Sequence, residues 1–215
     1  MYVSKHHAQP DIGETQAVIE AGPLGAWVVP GDDGLIANHI PFLLDRSRGK
    51  FGTLLGHVSR ANPVWKQLPV SARSVVMFQG AQSYITPGWY PGKREHGKVV
   101  PTWNYEVAHA HGVAHAIDNA GWLRDMLIRL TEVHESARPT PWKMTDAPAG
   151  FIDKMLRAVV GIEIPIDCLI GKLKASQDEE LRDRRGTIAG LVAEETREAI
   201  AMAVLVEREI NRKDF

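Results

Sequence analysis

The sequence predicts an α+β fold in which a mostly antiparallel sheet carries peripheral helices and ends in a C-terminal helical segment. Three observations predict it. Short apolar segments at 26–29, 35–44 and 53–58 are separated by turns with no helix between them, which indicates antiparallel pairing rather than a parallel wind. Leu123, Met126, Leu127 and Leu130 recur at helical spacing and form one core-facing stripe over 120–135. A second helical run over 188–210 offers Ile188, Leu191, Val192, Ile200, Val204 and Ile210 for burial.

Composition narrows the function classes. The 215 residues include 25 basic and 26 acidic ones, for a formal net charge of −1, so there is no bulk attraction to nucleic acid or to an anionic membrane, and any anion site must be local. The single cysteine, Cys168, excludes an internal disulfide framework and fits a reducing compartment. No apolar run approaches the roughly 20 residues needed to cross a bilayer, and no apolar signal core opens the chain, so a cytoplasmic protein is expected.

In chain order, residues 1–7 are polar and read as a loose terminus. Asp11 and Glu14 have capping-box spacing for a helix that Gly22-Pro23 ends. The turn at 30–34, rich in Gly and Asp, reverses the chain between strands at 26–29 and 35–44, and Pro41 predicts a bulge or an edge in the second strand. The next strand, 53–58, places Thr53, Leu55 and His57 on one face and stops at 59–61. Asn62 is a preferred N-cap and Pro63 suits the first helical position, so a helix start there would leave free N–H groups beside Ser59 and Arg60, a favourable place for a phosphate.

A strand over 73–79 with a continuation at 83–85 precedes a loop at 86–98 rich in Pro and Gly, where Tyr84, Trp89 and Tyr90 could line a site. The strand 106–115 puts His109, His111 and His115 on one face and Ala108, Ala110, Gly112 and Ala114 on the other, so something bulky is expected against the small row. Asp118 is the candidate cap for the helix 120–135, and Phe151, Ile152, Met155 and Leu156 mark another over 149–159. The apolar strand 161–170 then delivers Lys172, Lys174 and Ser176. A boundary at 177/178 separates a sheet-forming domain, 1–177, from a helical extension, 178–215.

The histidine row invites a metal, but no carboxylate or cysteine recurs at ligand spacing, and packing histidines are the preferred reading. No Gly-x-Ser-x-Gly elbow, phosphate loop or dinucleotide fingerprint is present, and Cys168 sits in an apolar strand where a thiol is inert. What remains is a phosphate site without a glycine-rich loop. Lys172 and Lys174 point to one face of their strand, and an anion between them would relieve their repulsion.

Several motifs together carry a family likeness. His-Ile-Pro-Phe-Leu-Leu-Asp at 39–45, Gly-His-Val-Ser-Arg-Ala-Asn-Pro-Val-Trp at 56–65, Thr-Trp-Asn-Tyr at 102–105 and Gly-Lys-Leu-Lys-Ala-Ser-Gln at 171–177 resemble the PaiB family of FMN-binding negative transcriptional regulators. The resemblance implies a split β-barrel related to the pyridoxamine-phosphate oxidases, a homodimer, and FMN bound where two barrels meet. It makes His39, His57, Ser59, Arg60, Asn62, Trp103, Asn104, Lys172, Lys174, Ser176 and Gln177 the candidate cofactor residues, with no catalytic acid or base singled out. The alternative is a flavin-dependent oxidoreductase of the pyridoxamine-phosphate-oxidase type, using a small-molecule electron donor or acceptor. Direct DNA binding is not expected, because neither a helix-turn-helix nor a basic face is evident. The sequence departs from the family pattern at Ser4, His7, His111 and Asp178.

Overall fold

The computed structural model describes residues 1–68, 71 and 73–212. Its strands are β1 (Ala8–Gln9), β2 (Leu24–Gly31), β3 (Gly34–Pro41), β4 (Leu43–Asp45), β5 (Thr53–Ser59), β6 (Arg73–Ile85), β7 (Thr102–Val113), β8 (His115–Ile117), β9 (Val159–Pro165) and β10 (Cys168–Lys174). Its α-helices are α1 (Ile12–Ala21), α2 (Gly92–His96), α3 (Ala120–Glu135), α4 (Ala149–Arg157), α5 (Leu181–Ala193) and α6 (Arg197–Asn211). The chain divides into two compact units. The first holds Met1–Val18, Gln79–Ala108 and the described residues from Ile170 onward; the second holds Ile19–Phe78 and His109–Leu169.

In the second unit the predicted hairpin closes at Asp32-Asp33. Gly31 pairs with Gly34, whose φ of +129° is a conformation that a side chain would resist. β2 also pairs antiparallel with β6, with Ala26 opposite Met77. The segment 35–44, expected as one strand, is two. β3 ends at Pro41, which has no N–H for the ladder, and β4 joins a separate sheet ordered β4-β5-β9-β8. Phe42 sits at the joint, buried, its N–H on the Pro23 carbonyl at 2.9 Å and its ring edge-on to Phe78. The strand expected over 161–170 is likewise broken, at Ile166-Asp167, whose N–H groups reach the carbonyls of Gly52 and His111 at 3.0 Å each.

The small row of β7 faces backbone at one position rather than a bulky side chain. A Cβ on Gly112 would lie 2.2 Å from the Pro165 carbonyl oxygen, which only a glycine permits. α3 and α4 cover the second sheet, with Leu123, Met126, Leu130, Ile152 and Leu156 packed against Leu43 and Leu55. The cap of α3 is Asn119, not Asp118: the Asn119 side chain accepts from the Trp122 N–H at 2.9 Å. The helix expected after Asn62 is a single 3-10 turn, Pro63–Lys66, capped as predicted by the Asn62 side chain on the Val64 N–H at 3.0 Å.

In the first unit β1, β10, the 102–108 part of β7 and the 79–85 part of β6 run side by side in that order. The N-terminal residues, expected to be loose, form a 3-10 turn (Lys5–His7) and then β1, which pairs with β10 through Ala8 and Lys172. The loop 86–98 is also structured, by a 3-10 turn (Pro87–Trp89) and α2, and the Gly92 N–H donates to Asp183 at 2.9 Å. α5 and α6 share a core with Ile85, Tyr90, Leu173 and Ala175. The run 188–210 is not one helix. Glu195 takes a left-handed φ of 56°, and Thr196 caps α6 through the Ala199 N–H at 3.1 Å. Residues 213–215 of the expected C-terminal extension lie outside the described residues.

Candidate functional site

In the first unit, β10 lies beside β7, and this brings the lysines to the Thr-Trp-Asn-Tyr motif. The Lys174 ammonium donates to the Thr102 hydroxyl. Lys172 stands 4.9 Å from the centre of the Tyr105 ring and 3.4 Å from the Tyr2 carbonyl oxygen. Asn104 is fully buried; its Nδ2 donates to Ser176 Oγ at 2.9 Å, while its Oδ1 has no partner among the described residues. A buried acceptor without a donor costs about 1–3 kcal/mol, so this oxygen marks a place where a ligand donor would be stabilising.

The turn after β10 is held by local contacts. Ser176 is buried with a left-handed φ of 58°, a strained state for a serine. Gln177 folds back over it: its Oε1 accepts from the Ala175 N–H at 2.7 Å and its Nε2 donates to the Leu173 carbonyl at 2.8 Å. Gln177 therefore shapes the site, with both ends of its amide already engaged. Trp103 is half-exposed, its indole N–H on Gln82 at 3.1 Å and its ring 6.1 Å from that of half-exposed Tyr84.

His7 joins the same cluster. Its Nδ1 lies 2.8 Å from Ser4 Oγ and its Nε2 3.8 Å from Asp178. Burial lowers its pKa and Lys174 and Lys172 add to that, against Asp178, which raises it. Thr102, Tyr105 and His7 were absent from the candidates read from sequence. The signal available was the 102–105 motif itself, whose first and last residues meet the lysines once β7 and β10 are neighbours.

The second unit holds the other candidates. Arg60 donates through Nε to the Arg157 carbonyl at 2.7 Å, through Nη2 to the Val159 carbonyl at 3.1 Å, and through Nη1 and Nη2 to Asp118 at 2.8 and 2.6 Å. The Arg60 hydrogen bond holds the Asp118 carboxyl below its ordinary pKa. Ser59 Oγ accepts from the Ala61 N–H at 3.3 Å, and Asn62 Nδ2 donates to Asn38 at 2.7 Å. Their polar atoms are thus engaged locally. His39 is exposed on β3. His57 on β5 is largely buried, its Nδ1 without a partner among the described residues, and burial lowers its pKa.

The histidine row divides. His109 and His111 lie on β7 with ring centres 6.4 Å apart, and burial lowers the pKa of both. His115 is exposed on β8. Among the described residues no group of three His, Cys, Asp or Glu side chains is placed to hold a metal ion. No helix among them is long and apolar enough to cross a membrane.

The antiparallel sheets with peripheral helices make a split β-barrel fold. Solved structures agree on the fold. The FAD and heme binding protein of Mycobacterium smegmatis aligns with a TM-score of 0.58 at 17% identity, over 78% of this chain and 73% of that one. The flavocytochrome Anf3 of Azotobacter vinelandii aligns with a TM-score of 0.57 at 14% identity, over 80% and 72%. Residues 1–168 match the family described as "Putative FMN-binding domain". The "Protease synthase and sporulation protein PAI 2" of Bacillus subtilis is 27% identical over 99% of this chain and all of its own length. A relative from Emericella nidulans is 32% identical over 88% of this chain and 90% of its own. The chain belongs to this family of putative FMN-binding domains. Lys172, Lys174, Ser176 and Gln177 lie beyond the matched domain but within the span shared with the Bacillus relative.

Proposed function

We propose that the protein binds FMN through the β7–β10 cluster, works as a homodimer, and serves as a negative transcriptional regulator that senses through its flavin rather than by gripping DNA. The observation that carries the reading is the buried, unpartnered Asn104 Oδ1 beside Ser176, Thr102 and the two lysines. FMN is a fitting guest. It bears a phosphate that two ammonium groups would hold, and ribityl hydroxyls and a ring N–H that would satisfy Asn104. When bound, the flavin supplies the redox chemistry, and the protein sets its access and surroundings.

Each residue has a distinct part. Lys172 and Lys174 bind the phosphate, with Thr102 and the Tyr105 ring orienting their ammonium groups. Asn104 and Ser176 orient the polar edge of the ligand, and Gln177 keeps the turn in shape. Trp103 and Tyr84 give a half-exposed aromatic surface that the ring or a second subunit would cover. Ser59, Arg60 and Asn62 carry less weight, because their donors and acceptors are already engaged in the second unit. The regulatory role draws on the likeness of the motifs at 39–45, 56–65, 102–105 and 171–177 to the PaiB family, and the net charge of −1 speaks against DNA as the direct partner.

The test is a visible spectrum of the purified protein, denaturation, and identification of what is released. FMN at one per subunit, in a protein that sediments as a dimer, is the expected result; a colourless protein that takes up no added FMN refutes the assignment. The oxidoreductase alternative keeps the Tyr84–Trp103 surface as a substrate platform. Rapid reduction of the bound flavin by a nicotinamide nucleotide, with turnover on an acceptor, would favour it.

A further inference from the structure

A polar concavity lies wholly in the second unit, between α3, α4 and the end of β5. It has a volume of ≈ 320 Å³, at the lower end of the range for small-molecule sites, and is lined by Arg60, Asp118, Ala120, Leu123, Arg124, Asp153, Leu156 and Arg157. Its floor is apolar, since Leu123 and Leu156 are buried core residues. Its rim is charged. Arg60 is bound to Asp118, and Arg124 to Asp153 at 2.7 Å. Arg157 closes α4, and its guanidinium has no hydrogen-bond or ion-pair partner among the described residues.

Three guanidiniums against two carboxylates leave one unmatched positive charge. Ala120 at the cavity is the first residue of α3, and Leu156 and Arg157 are the last of α4, so the positive end of one helix dipole and the negative end of the other offset each other and the side chains set the charge. We propose that this cavity binds a small carboxylate with an apolar body, its charge on Arg157 and its body over Leu123 and Leu156. A monoanion matches the unmatched charge. A phosphate dianion would set a second charge against Asp118 and Asp153, and a neutral molecule would leave Arg157 without a partner. The ligand is a second small molecule, separate from the flavin of the β7–β10 cluster.

The experiment is calorimetric titration of the full chain, with its flavin content recorded, using benzoate, benzamide and inorganic phosphate as probes. Benzoate should bind at least about tenfold more tightly than either of the others, and Arg157→Gln should weaken benzoate about tenfold while leaving FMN content unchanged. Arg157 is exposed and unpaired, so that variant leaves the core intact. Absence of benzoate binding, equal affinity for benzamide or phosphate, or an Arg157→Gln protein with undiminished benzoate affinity overturns the proposal. Loss of FMN in that variant also overturns it, by assigning Arg157 to the flavin. Benzoate binding by a protein without flavin supports it even where the flavin reading fails.

Discussion

Lys172 and Lys174 show what strand alternation reveals and what it hides. Their shared face was readable from spacing two apart, but Thr102 and Tyr105 became their partners only through the pairing of β10 with β7, a long-range choice that no local pattern encodes. If the pair holds the flavin phosphate, Lys172→Ala and Lys174→Ala should each weaken FMN about tenfold and leave riboflavin affinity unchanged, measured by fluorescence quenching. Equal losses for both flavins would remove the phosphate role. Arg60 is the opposite case, a residue with the right chemistry whose donors are already committed. Because it also holds the Arg157 and Val159 carbonyls, Arg60→Ala should lower the thermal midpoint more than Asp118→Ala does. Equal midpoints would show that those carbonyl bonds contribute nothing.

At the scale of elements, helices with clear caps and stripes were legible, and breaks without a Gly or Pro were not. α3 matches its predicted span, while the α5–α6 joint falls in Ala-Glu-Glu-Thr at 193–196, where only Thr196 hints at a new start. Pro41 pointed to a disturbance in its strand, yet only the packing of Phe42 shows that the chain changes sheets there. The two glycines inside α5 mark another contact the sequence concealed. A Cβ at Gly190 would lie 2.1 Å from the Trp89 ring, and one at Gly186 would lie 2.1 Å from the Trp89 carbonyl oxygen. Exposed Gly→Ala changes in helices gain up to about 1 kcal/mol. Here overpacking should reverse the sign: Gly190→Ala should cost about 1–3 kcal/mol in urea unfolding, and a stabilised variant would mean that Trp89 can move aside cheaply.

For the whole molecule, the antiparallel α+β plan and the flavin-binding family were both legible, because turns, amphipathic stripes and short motifs are local. Burial was not, and it decides how the protein responds to pH. Burial lowers the pKa of His7, His57, His109 and His111 below the ordinary histidine value of 6.5. Below 6.5 the unfolded chain therefore binds more protons than the folded one. Stability is full above that value and declines as pH falls through 6.5 toward the lowered native values. Burial raises Glu106 and Glu179 above their ordinary 4.5, which acts in the opposite sense just above that value, so the histidine slope is cleanest between about pH 6 and 7.5. Urea midpoints should therefore rise from pH 6 to 7.5. His57, whose Nδ1 finds no partner among the described residues and whose shift comes from burial alone, should account for a distinct share of the rise. His57→Gln should flatten the dependence while leaving the remaining histidines to supply the rest. An unchanged slope in that variant would show that His57 keeps its ordinary affinity for protons in the folded protein, and that the pH response originates elsewhere.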